Sequence, residues 1–257
     1  MIVKTKTLFF SVLVLIIAGI FPSCEKEEIS EALEKEELQI KMTSDAEWGL
    51  YLSTSAGKTI YMYSRDLEGI SKCEGDCLDE WEPVGITASL PDSASNEFGL
   101  LRRDDGFVQL SFKGWPLYTY KQESQNEISA DNKDGEWYLA KPDYSLFIGL
   151  KTVDGEEKKF LIDENGQSVY YKSDDAVNQS SCTTASCILK YPPLKLKASI
   201  FPSILDASLV QNLSRNDSIP QSSYKNKPLY THSLDGRGEA SGQGFLGVWF
   251  VMEDSFF

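Results

Sequence analysis

His232 is the only histidine in the 257-residue chain. Any Ser-His-Asp relay would have to be built on it, and no histidine-rich metal site can form. Carboxylates are plentiful, yet no two are spaced so as to single out a glycosidase pair. Asp131-Asn132-Lys133-Asp134-Gly135-Glu136 gathers oxygen ligands around a glycine. It lacks the alternating spacing of a calcium loop, and Lys133 intrudes, so it reads as an acidic turn. Gly236, Gly238, Gly242 and Gly244 precede a strand-like segment instead of a helix, which removes a phosphate cradle. Cys73/Cys77 and Cys182/Cys187 are two close pairs. Neither is followed by the histidine of a haem attachment site, and each supplies only two sulfurs at a spacing foreign to zinc. No helix or basic neighbour is evident that would lower a thiol pKa for redox work. The expectation is two short disulfides, with a four-cysteine site joining the pairs as the alternative. No metal and no cofactor is expected.

The fifth cysteine, Cys24, belongs to a different context. Lys4 and Lys6 precede an apolar run from Leu8 to Phe21, which Pro22-Ser23-Cys24 ends and Glu25-Lys26-Glu27-Glu28 follows. The run suits a signal-peptide core and is short for a membrane-spanning helix. The whole resembles a bacterial lipoprotein signal of the Bacteroidetes type, which implies a short signal helix and lipidation of Cys24. Phe21 departs from that pattern, which prefers an aliphatic residue there. The Lys-then-acidic stretch after Cys24 resembles a surface-export tag. The implied location is the outer membrane, lipid-anchored and surface-exposed, or otherwise its periplasmic face. An oxidising exterior agrees with paired cysteines.

The formal charge is −14. Such a chain repels phosphate backbones, so nucleic acid is excluded as a partner. The membrane, through the lipid, is the one partner expected; any ligand or protein partner is unspecified. Residues 24–42 are rich in Glu and Lys and read as an acidic tether, with Ile29, Leu33 and Ile40 on one face of any short helix it forms.

The rest of the chain repeats itself. Gly57-Lys58-Thr59-Ile60-Tyr61-Met62-Tyr63-Ser64-Arg65-Asp66 matches Gly166 to Asp175 at an offset of 109 residues, and Trp81-Glu82-Pro83 after the first cysteine pair matches Tyr191-Pro192-Pro193 after the second. Further on, at an offset of 112, Arg103 meets Arg215, Gln109 meets Gln221, Pro116-Leu117-Tyr118-Thr119 meets Pro228-Leu229-Tyr230-Thr231, and Trp137 meets Trp249. A finer repeat lies inside: Gly114 to Tyr120 is similar to Gly57 to Tyr63. Tyr-x-aromatic-x-x-acid therefore occurs as Tyr61/Tyr63/Asp66 and Tyr118/Tyr120/Glu123. It recurs, weakened at the third position, as Tyr170/Lys172/Asp175 and Tyr230/His232/Asp235.

These residues resemble the secreted-repeat family of predicted bacterial lipoproteins, whose mark is a Tyr-x-aromatic-x-x-Asp motif in tandem copies. Residues 46–257 carry the resemblance, which implies a family but no reaction. The segments themselves read as strands joined by turns, for example Leu101–Arg103, Asp104-Asp105-Gly106 and Phe107–Phe112. The expected fold is all-β: two tandem pseudo-repeats of antiparallel strands, as a sandwich, a barrel or a small propeller-like arrangement. The expected divisions are a signal peptide at 1–23, the tether at 24–42, and β repeats at 43–142 and 143–257. Period-two alternation puts Tyr61 and Tyr63 on one face of a strand and Ile60 and Met62 on the other. The acid then falls past the strand end, where it can accept bonds from turn N–H groups or from a tyrosine hydroxyl.

Two functions fit. One is a non-catalytic binding or structural surface lipoprotein, with the motif residues and Trp81 as a structural device or a ligand surface. The other is an exported hydrolase or redox-associated enzyme with a site between the repeats. The missing catalytic set favours the first.

Overall fold

Residues 40–86 and 96–257 are described by a computed structural model of the chain. Cys24, the signal segment and most of the tether lie outside them. Every described residue belongs to one compact unit. Among the described residues no helix is long and apolar enough to cross a membrane.

Four hairpins succeed one another, each followed by a short strand that carries a motif tyrosine or its equivalent. The first is β1 (Ile40–Asp45) with β2 (Gly49–Thr54), leading to β3 (Tyr61–Tyr63), a four-residue helix α1 (Cys77–Glu80) and β4 (Trp81–Pro83). The second is β5 (Phe98–Arg102) with β6 (Val108–Phe112), leading through β7 (Trp115–Pro116) to β8 (Tyr118–Tyr120) and β9 (Trp137–Leu139). The third is β10 (Leu146–Val153) with β11 (Glu156–Asp163), leading to β12 (Tyr170–Lys172) and α2 (Ala185–Lys190). The fourth is β13 (Val210–Leu213) with β14 (Gln221–Tyr224), leading through β15 (Lys227–Pro228) to Tyr230 and finally β16 (Trp249–Val251).

The motif strands of each half assemble into a sheet. In the first half the order is β4-β8-β3-β9, all antiparallel, with Tyr61 opposite Tyr118, Trp81 opposite Tyr120 and Tyr63 opposite Trp137. The second half reproduces it with shorter pieces. Pro193 bridges Tyr230, Tyr230 bridges Tyr170, and β12 pairs with β16 so that Lys172 faces Trp249. The all-β, antiparallel, duplicated expectation holds. The barrel alternative does not: no sheet among the described residues closes on itself.

Alternation along β3 divides the core as expected. Ile60 and Met62 join a large apolar cluster that also takes in Phe147, Phe160, Tyr170 and Tyr230 from the second half. Tyr61 joins a smaller cluster with Trp81, Tyr118 and Trp137, against which Tyr63 and Tyr120 pack. Two expectations need correction. The tether does not extend to residue 42, because Ile40, Lys41 and Met42 pair with Thr54, Ser53 and Leu52 in the first hairpin. The second cysteine of each disulfide also lies in a short helix. Asp76 precedes α1, and Thr184 caps α2 by accepting from the Cys187 N–H. Turns this short leave no periodic trace in sequence.

Candidate functional site

The four motif tyrosines are buried, and each hydroxyl donates to a carboxylate. Tyr61 reaches Glu123, Tyr118 reaches Asp66, Tyr170 reaches Asp235 and Tyr230 reaches Asp175, every one at 2.6 Å. No tyrosine binds the acid of its own motif. Copies exchange partners two by two, first with second and third with fourth. Each acid also accepts the backbone N–H six residues further on: Lys72 at 2.7 Å, Ser129 at 2.6 Å, Ser181 at 2.8 Å and Ser241 at 3.1 Å. The carboxylate thus ties a turn to a tyrosine of the neighbouring copy. The expectation of turn N–H and hydroxyl partners is met in all four motifs, including the two that looked weakened.

Burial governs the electrostatics. Asp66 has no exposed surface, and its carboxyl is pushed up to about 7 by burial, against the pull of the Tyr118 and Lys72 bonds. Glu123 is raised by the same cause. The tyrosines Tyr61, Tyr118, Tyr170 and Tyr230 are held well above their ordinary value, again chiefly by burial and then by the carboxylates beside them.

Arg103 and Arg215 were legible in the sequence only as aligned positions, yet they organise the loops next to these locks. Arg103 donates to Ser71, to Gln109 at 3.2 Å and to the Cys73 carbonyl at 2.7 Å. Arg215 donates to Ser180 at 2.6 Å, to Gln221 at 2.7 Å and to the Cys182 carbonyl at 2.8 Å. Each glutamine passes the connection on, donating 2.8 Å to Leu117 O or Leu229 O. The repeated Arg-x5-Gln spacing was the available signal. Both cysteine pairs are disulfide-bonded, Cys73 to Cys77 and Cys182 to Cys187.

Trp81, directly after α1, stacks on Trp137 with ring centroids 3.6 Å apart, and Tyr63 also stacks on Trp137 at 4.1 Å. Tyr120 lies against Trp81 at 4.9 Å. In the second half Tyr191 stacks on Trp249 at 3.7 Å and His232 takes the Tyr120 place at 4.9 Å from Tyr191. Lys172, at the Tyr63 position, ends the stack there.

Two clefts sit beside the arginines in equivalent positions. The first, of about 280 Å³, is bounded by Ser71, Lys72, Glu74, Arg102 and Asp104 over Arg103. The second, of about 260 Å³, is bounded by Asn178, Gln179, Thr183, Ser214 and Asn216 over Arg215. One is lined by charges and the other by amides and hydroxyls.

His232 does not form a relay. Its Nδ1 lies 3.0 Å from Asp235 Oδ1 and 3.1 Å from Ser241 Oγ, so both partners crowd one nitrogen, and the buried Nε2 has no partner. A nucleophile and an orienting acid need opposite ring nitrogens. Among the described residues no group of three or more His, Cys, Asp or Glu could hold a metal.

Comparison with known proteins agrees with the internal geometry. A family model described as a secreted repeat of unknown function matches residues 42–85 and again 99–141. Residues 42–141 carry this secreted repeat twice. The two matched segments are the first exchanging pair, and the second half reproduces its tyrosine–carboxylate and arginine hydrogen bonds. No curated protein and no solved structure matches the chain. The match to a secreted repeat of unknown function supports an extracytoplasmic location and assigns no activity.

Proposed function

We propose that the chain is a lipid-anchored outer-membrane protein, attached through Cys24, that binds a ligand or partner without catalysis. Its ligand surfaces are the two equivalent clefts beside Arg103 and Arg215. One observation carries this reading. All four motif carboxylates, with Arg103 and Arg215, are spent on partners inside the fold. What remains at the clefts is a changeable rim, Lys72, Glu74, Arg102 and Asp104 in one and Gln179, Thr183 and Asn216 in the other. A floor shared by both halves under a diverged rim suits recognition.

Calorimetric titration of the full chain against glycans, peptides and metal ions tests it. A ligand is expected whose affinity falls at least tenfold with Arg102→Ala or Asn216→Ala, with melting unchanged. No binding from any of these classes overturns the binding reading. Turnover of an ester, glycoside or thiol substrate that His232→Ala abolishes would establish the enzyme instead. Anchoring is checked by palmitate incorporation in cells, lost in Cys24→Ser; absence of label in the unsubstituted protein refutes it.

A further inference from the structure

The two halves differ in chemistry at an edge formed by the loops that flank the motif strands. In the first half it carries Asp79 and Glu80 at the end of α1, Gln122 after β8, and Lys133 and Asp134 before β9. Glu80 pairs with Lys133 at 3.1 Å. In the second half the same positions hold Leu189 and Lys190, Leu234, and Phe245 and Leu246.

The backbone is the same in both places. Lys121 N–H donates to Glu80 O at 2.8 Å, and Ser233 N–H donates to Lys190 O at 2.9 Å. Asp134 and Leu246 share a φ of 55°, and Gly135 and Gly247 have φ of 68° and 69°. Where the first half closes an ion pair, Lys190 lies over the Phe245 ring at 3.1 Å from its centroid. Three leucines stand free around that contact: Leu189 at 78 %, Leu234 at 77 % and Leu246 at 77 % exposure. Leu246 also occupies a left-handed conformation that an aspartate accepts more readily than a leucine. Two independent costs, exposed apolar surface and backbone strain, are therefore borne at one spot.

We propose that this edge, Leu189, Lys190, Leu234, Phe245 and Leu246, is a lipid-surface contact that seats the leucines in the headgroup region of a bilayer. Size and charge select this occupant. Four apolar side chains fall short of the roughly 800 Å² per partner that a stable protein interface needs. They do match an interfacial anchor, in which leucine and phenylalanine dip below the headgroups while a lysine meets phosphate. Three acids and one lysine have given way to a single lysine, in a chain whose formal charge is −14. An acidic body is repelled by anionic lipid, and Leu189, Lys190, Leu234, Phe245 and Leu246 add no acid to that repulsion. The inference does not depend on lipidation at Cys24.

The test uses the full chain with Cys24→Ser, reconstituted in phosphatidylethanolamine–phosphatidylglycerol vesicles. A single environment-sensitive dye is placed at Leu234→Cys or, as control, at Gln122→Cys. Brominated acyl chains are expected to quench the dye about fivefold more at 234 than at 122, since interfacial anchors sit ~5–10 Å into the headgroup and acyl boundary. Restoring the first-half residues, Leu189→Asp with Lys190→Glu and Leu246→Asp, should remove the difference. Equal quenching at both positions overturns the proposal. So does a concentration-dependent doubling of mass that the same three substitutions abolish, because the edge would then be a contact between two copies of this chain.

Discussion

Tyr61 and Tyr118 face each other across β3 and β8, yet each hydroxyl is held by the acid belonging to the other's motif. The link between copies is thus both a strand pairing and a crossed pair of buried hydrogen bonds. Buried hydroxyl–carboxylate bonds are costly to half-remove, because the remaining carboxylate loses a partner and keeps its burial.

A double-mutant cycle measures the crossing. Tyr61→Phe with Glu123→Gln should show a coupling of about 1–2 kcal/mol in urea denaturation, as expected for charged, buried partners. Tyr61→Phe with Asp66→Asn, the pair within one motif, should be additive within about 0.5 kcal/mol. Equal coupling in both cycles would contradict the exchange.

The raised carboxyl of Asp66 sets a pH dependence. Its folded-state pKa, about 7, exceeds the ordinary 3.8, so the folded chain binds this proton more tightly than the unfolded chain. The corresponding stability is present in full below pH 4 and is lost as pH rises through about 7. Glu123, also raised, adds in the same direction. Chemical denaturation between pH 4 and pH 8 should show this fall, and Asp66→Asn should flatten it. A slope untouched by that substitution would assign the effect elsewhere.

Each disulfide closes a loop of only a few residues, worth about 2 kcal/mol in the chain-entropy account. Cys73→Ser with Cys77→Ser should cost about that much in the denaturation midpoint. It should also disturb the Trp81–Trp137 stack, because the single turn α1, which begins at Cys77, leads straight into β4. Near-ultraviolet circular dichroism reads the stack; an unchanged spectrum would separate the loop from the aromatics.

Arg103→Lys tests the loop-organising role. One ammonium cannot span Ser71, the Cys73 carbonyl and Gln109 as a guanidinium fork does. A loss of about 2–3 kcal/mol is expected, the size associated with buried bonds to a charged group. Arg215→Lys should cost a similar amount, since its bonds match one for one. Insensitivity at either position would mean the loops hold without the arginine.

Much of this was legible beforehand, for local reasons. Strand alternation placed Tyr61 and Tyr63 opposite Ile60 and Met62, and the duplicated order of Gly, Tyr, Cys, Trp and Pro announced the repeats. Which acid serves which tyrosine was not legible, because Tyr61 and Glu123 lie 62 residues apart and only the sheet order joins them. The first strand hid behind its Glu- and Lys-rich neighbours. The eight-residue strands β10 and β11 carry Tyr-poor sequence that the motif comparison passed over. Arg103 and Gln109 were aligned with Arg215 and Gln221, but nothing local said that their side chains turn inward.

The exchange of acids between neighbouring copies imposes a parity rule. A solitary copy, or the odd member of a triplet, would bury a carboxylate with no foreign hydroxyl to meet it, at a cost of several kcal/mol. Growth of such a chain by one copy is penalised, while growth by two is not. The heritable unit of this architecture is therefore the couple, and chains built on the same lock should contain copies in even numbers.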